Sequence, residues 1–147
     1  MSDPAGVTRL AVIGLGHRAT AMIASMQAVD PGVSVRAVAD PGTENARRRL
    51  VMVEPTHAEV RVYPSADAML EDPADYDGVV IGTRCYLHTT MAIKVASAGL
   101  PLFLEKPVAI SLQELGALRE AFRGREDEVA VSFPLRYTPF SRRRWRS

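Results

Sequence analysis

Residues 14 to 19, Gly14-Leu15-Gly16-His17-Arg18-Ala19, directly follow the apolar run Leu10-Ala11-Val12-Ile13 and open a segment of helical periodicity. In that setting Gly14 allows a tight turn, Gly16 lets the backbone approach a pyrophosphate, and Ala19 permits close packing of helix on strand. The helix N-terminus adds unpaired N–H groups and a partial positive charge, so the chemistry implied is capture of a dinucleotide. A glycine turn that serves only chain reversal is the plainer reading of the same residues; the strand before and the helix after favour the dinucleotide. Asp40 ends the next Val-rich run, 24 positions beyond Gly16, near the offset at which a carboxylate accepts hydrogen bonds from a ribose. It would repel a 2′-phosphate, which favours NAD over NADP, and it also suits the turn Asp40-Pro41-Gly42 on its own account. Arg47, Arg48 and Arg49 follow within reach of a phosphate, which keeps NADP open; a solvated helix face explains them equally.

These residues need a scaffold, and the chain shows one. Short apolar runs at residues 10–13, 33–39, 60–63, 79–81, 102–104 and 129–133 read as six buried strands. Between them, residues 19–29, 44–53, 66–70, 89–98 and 112–122 carry apolar side chains at spacings of three and four, the pattern of crossover helices. Gly99 and Pro101 stop the fourth helix, and Ser111 with Glu114 forms a capping-box pattern at the start of the fifth. Alternation of this kind predicts an α/β fold with a doubly wound, mainly parallel sheet. Residues 1–133 form one predicted domain, and residues 134–147, PLRYTPFSRRRWRS, read as a truncated crossover or a basic tail.

Composition narrows the function. The 147 residues carry 18 basic and 17 acidic groups, but four of the arginines (Arg142, Arg143, Arg144 and Arg146) crowd the end. Residues 1–140 therefore hold 14 basic against 17 acidic groups, a balance of −3 without a footprint for nucleic acid. The lone Cys85 excludes a disulfide framework, has no paired base to make it a nucleophile, and fits a reducing compartment. The start MSDPAGVTRL lacks a signal-peptide pattern and no apolar run suits a bilayer, so a cytoplasmic, membrane-free setting is expected.

Residues 79–107, VVIGTRCYLHTTMAIKVASAGLPLFLEKP, complete a recognisable order of motifs. With Gly14-Leu15-Gly16, Ala37-Val38-Ala39-Asp40, Thr83, His88, Ala98-Gly99 and Glu105-Lys106-Pro107, the chain resembles the N-terminal domain of the glucose-fructose oxidoreductase, inositol dehydrogenase and MocA-like oxidoreductases over residues 7–140. The resemblance implies a Rossmann domain whose Lys106 lies beside nicotinamide and substrate and assists proton movement during hydride transfer at a sugar- or cyclitol-like hydroxyl. It implies cofactor contacts from Gly14, Leu15, Gly16, His17, Arg18, Asp40, Thr83, His88, Glu105 and Lys106, with Glu105 orienting Lys106 and His88 lining the pocket or capping a helix. Arg84-Cys85 stands where the family has a Pro-Asn pair. The family's C-terminal substrate domain is absent from the sequence, so a chain incomplete for catalysis by itself is expected. Two other functions compete: a non-catalytic dinucleotide-binding or docking module, able to form a homo-oligomer, and a methyltransferase using S-adenosylmethionine. Glu105-Lys106-Pro107 and the Gly-x-Gly-x-x-Ala spacing favour the oxidoreductase.

Overall fold

A computed structural model describes residues 6–133 of the chain. Six strands form one sheet: β1 (Thr8–Ile13), β2 (Val33–Ala39), β3 (Arg61–Tyr63), β4 (Gly78–Ile81), β5 (Leu102–Glu105) and β6 (Val129–Ser132). Every pairing is parallel and the order is β3-β2-β1-β4-β5-β6. Parallel neighbours need crossovers, which α1 (His17–Val29), α2 (Thr43–Leu50), α3 (Ala66–Met69), α4 (His88–Ser97) and α5 (Leu112–Ala121) supply, with short 3-10 turns between them. All six predicted strands and five predicted helices are present. The second helix stops at Leu50 rather than residue 53 and closes in a turn whose carboxyl end carries Val53 into the core.

Strand alternation splits the core between the two faces. Ala11, Ile13, Ala37, Ala39, Val79, Ile81, Leu102 and Leu104 meet Met69 of α3, Ala92 and Val95 of α4, and Leu118 of α5. On the other face Leu10, Val12, Val35, Val38 and Val80 meet Ala19 and Ile23 of α1 and Ala46 and Leu50 of α2. Beyond α1 that second face opens into a groove of about 870 Å³, lined by Met22, Met26, Phe103 and Ala130 among others.

The helix ends explain their sequences. Gly99, with φ of +73°, follows α4 in the left-handed conformation that glycine adopts at little cost. The Ser111 hydroxyl accepts from the Glu114 N–H at 3.1 Å, as the capping pattern predicts. The Glu114 carboxylate reaches one residue further back than in the usual box and accepts from the Ile110 N–H at 2.8 Å. The expected crossover or basic tail, residues 134–147, lies outside the described residues.

Candidate active site

β1 and β4 are adjacent, yet the chain leaves β1 for α1 on one face and β4 for α4 on the other. That divergence opens a crevice at the carboxyl edge, the place where doubly wound sheets bind ligands. Main-chain bonds seal its floor: the Gly14 N–H donates to the Ala39 carbonyl at 2.8 Å and the Gly82 N–H to the Ile13 carbonyl at 2.9 Å.

The glycines have separate reasons. Gly14 has φ of +79°, and a Cβ there would lie 2.8 Å from Thr83 Cγ2 and 3.0 Å from the Thr83 main chain. Both the backbone conformation and the approach of the β4 loop therefore require it. Gly82, which the sequence reading passed over, is just as constrained, since its Cβ would stand 2.6 Å from Ala19 Cβ and 2.9 Å from the Gly14 carbonyl. The close packing expected of Ala19 is thus made against Gly82. Gly16 differs: a Cβ would find only the Gly82 carbonyl, at an ordinary 3.6 Å. No described protein atom demands a glycine there, and the bare backbone is of the kind that a pyrophosphate can approach. Gly16 is also the N-cap of α1, no side chain caps that end, and the first turn holds no acidic residue. Leu15 is buried in the core, and His17 is exposed in the first turn. The loop therefore fits a dinucleotide phosphate on its own stereochemistry.

Asp40 serves the turn and the glycine loop together. One carboxylate oxygen accepts from the Gly42 N–H at 2.8 Å and the other from the Leu15 N–H at 3.1 Å. Arg49 Nη1 donates to the Leu15 carbonyl at 3.0 Å, so the main chain of Leu15 is held on both sides of its Cα. The arginine run accordingly divides. Arg49 is half-buried and braces the loop, while Arg48 turns to Asn45 and Arg47 lies on the exposed face.

The β4–β5 side is made differently. Thr83 follows Gly82 over the Gly14 turn, and His88 opens α4 with only 1% of its surface exposed. His88 Nδ1 lies 2.6 Å from the Pro107 carbonyl and Nε2 lies 3.2 Å from the Thr83 carbonyl. A neutral ring donates to one of these oxygens, an imidazolium to both. The side chain expected to line a pocket or cap a helix thus spans two loops. Glu105, at the end of β5, is 5% exposed and turns towards α1, where Arg18 Nη2 donates to its two oxygens at 3.2 and 3.3 Å. Arg18, expected to contact the cofactor, directs its guanidinium to this carboxylate. Lys106 is exposed at the carboxyl edge, with no ion pair to any described residue, and Cys85 is free and exposed. Among the described residues no group of three or more His, Cys, Asp or Glu is placed to hold a metal. No helix among them is long and apolar enough to cross a membrane.

A parallel sheet in this order, with a glycine turn at its switch point and a carboxylate ending β2, defines a dinucleotide-binding domain. Residues 8–133 match the family described as an oxidoreductase family with an NAD-binding Rossmann fold, and the chain belongs to that family. The scyllo-inositol 2-dehydrogenase (NAD(+)) of Bacillus subtilis is 31% identical over 134 residues, covering 89% of this chain and 37% of that protein. The inositol 2-dehydrogenase of Streptomyces avermitilis is 33% identical over 141 residues, 93% of this chain and 38% of its own length. The structure of myo-inositol dehydrogenase from Lactobacillus casei in complex with NAD(H) and myo-inositol superposes with a TM-score of 0.78 at 27% identity, covering 90% of this chain and 38% of that one. The present chain spans less than two-fifths of the length of each of these three relatives.

Proposed function

We propose that this chain forms the cofactor half of an NAD-dependent dehydrogenase acting on a hydroxyl of a sugar, cyclitol or related polyol. The observation that supports the reading is that Lys106, directly after β5, stands on the same carboxyl edge of the parallel sheet as the Gly14–Gly16 turn after β1. The inositol dehydrogenases among its relatives support the polyol class.

Bound NAD supplies the hydride acceptor. The protein supplies the rest of the cofactor half from its own groups. The bare main chain at Gly16 and the uncapped N–H groups of α1 take the pyrophosphate, and the positive end of the helix favours that charge. Asp40 accepts from ribose hydroxyls, and its charge opposes a 2′-phosphate at the same place. Leu15 anchors the turn in the core, while Thr83 shapes the floor beside Gly14. Lys106, directly after β5, holds or releases the proton at the substrate hydroxyl. A partner domain would complete the substrate side.

Fluorescence titration of the chain with NADH and NADPH tests this reading. Saturable NADH binding in the range of about −8 to −5 kcal/mol is expected, with NADPH weaker. A folded chain that binds neither cofactor overturns it. Tighter binding of S-adenosylmethionine than of NADH would assign the site to a methyltransferase.

A further inference from the structure

We propose that Arg18 and His88 are positioning residues for Lys106, which they hold from opposite faces of the sheet through the two residues that flank it. The inference rests on the role proposed for Lys106. Its neighbours are both tied: Glu105 on one side bonds Arg18 of α1, and the Pro107 carbonyl on the other bonds His88 of α4. These helices pack on opposite faces, so the two ties pull in opposed directions across the strand end.

Each tie costs something to release. The Glu105 side chain is 7% exposed while that of Arg18 is 59% exposed. Loss of Arg18 leaves a nearly buried carboxylate without its cation, a state a strand end relieves by moving outward. His88 also reaches the Thr83 carbonyl, so the lysine loop and the loop over Gly14 are joined through one ring. Arg18 belongs to the first turn after the glycine loop. Both ties therefore begin at the walls of the dinucleotide crevice and end beside Lys106, which links the placement of the amine to the place of the cofactor. Proton transfer alongside hydride transfer depends on such placement, since a displacement of about 1 Å is enough to slow an oriented step severely.

The lysine content makes the test direct. The chain has two lysines, Lys94 and Lys106, and Lys94 is paired with Asp67 of α3, away from the crevice. Reductive methylation with 13C thus gives two side-chain signals besides the N-terminal amine, one of them an internal control. In the free, 15N-labelled chain the heteronuclear NOE of the Lys106 amide reads the order of the loop. The methyl shift of Lys106 at saturating NAD+ reads where the amine is carried.

Arg18→Ala and His88→Ala are each expected to lower the Lys106 NOE and to remove at least half of its NAD+-induced shift, while Lys94 stays unchanged. Arg18→Gln and His88→Gln, which keep a donor, are expected to recover most of both. If Lys106 keeps its order and its shift in the alanine variants, or if Lys94 changes in step with it, the positioning role is overturned. The reading of Lys106 fails separately: NAD+ would then bind the unaltered chain and leave the Lys106 methyl signal in place, while the variants still lowered the NOE. Should His88→Ala not fold, the solvent-facing Arg18 pair decides the outcome.

Discussion

On its β1–β2 side the crevice is built largely from main chain, whereas on its β4–β5 side it is built from side chains meeting across the molecule. On the first side the turn depends on Gly14 in the left-handed region, and Asp40 and Arg49, 25 and 34 positions away, hold the main-chain N–H and carbonyl of Leu15. On the second, Arg18 reaches Glu105 across 87 positions and His88 joins two loops. The two sides meet different chemical demands. Phosphate recognition needs little beyond a backbone path, which a few glycines secure, whereas a proton-handling amine needs groups from several elements around it.

The largest expected effect breaks the first side. Gly14→Ala places a Cβ against the Thr83 main chain in a conformation hostile to L-residues, at a cost of about 2–3 kcal/mol in a urea titration. Gly16→Ala is its counterpart: with the Cβ in no more than ordinary contact with the Gly82 carbonyl, stability falls by less than about 1 kcal/mol, yet NADH titration shows binding lost. Equal effects of the two on stability would erase the distinction drawn between a structural and a ligand-facing glycine.

His88→Ala attacks the second side and removes the ring that meets the Thr83 and Pro107 carbonyls. Thermal unfolding is expected to show a loss of about 1–3 kcal/mol. Asp40→Ala comes next, weakening NADH about tenfold, or 1.4 kcal/mol, and narrowing the preference over NADPH in the same fluorescence assay.

The smallest effect lies below β4, away from the crevice. Burial raises the Tyr76 phenol to about 12, with Tyr63 adding to the shift, and its hydroxyl donates to the Met69 carbonyl. A folded state that holds the proton more tightly than the unfolded chain, whose phenol titrates near about 10, is favoured fully below that pH. The contribution is lost as pH rises towards 12. Tyr76→Phe should flatten this alkaline decline, read by urea unfolding at successive pH values.

The contrast between the two sides also explains what the sequence disclosed. The strands are legible because parallel strands buried on both faces read as unbroken runs such as Leu10-Ala11-Val12-Ile13. Gly14, Gly16 and Asp40 are legible because their spacing along the chain is the geometry of one turn and one strand. Gly82 carries a weaker signal, a glycine directly after an apolar run, and its need arises only when Ala19 of α1 lies across it. Arg49 looked like part of a charged face and is singled out only by its bond to Leu15. Glu54 had no local signal at all. It is buried beside β2, accepting from the Val35 N–H at 2.8 Å and from the Thr56 hydroxyl at 2.9 Å. The ties from Arg18 and His88 likewise require the sheet order before either partner is in view.

A crystal structure of the chain with NADH would show whether the crevice takes the dinucleotide as its two sides imply. The pyrophosphate is expected over Gly16 at the start of α1, the adenosine ribose on Asp40, and the nicotinamide directed along β4–β5 with Lys106 beside it. A dinucleotide bound elsewhere, or one in the crevice with its nicotinamide turned away from Lys106, would contradict this placement.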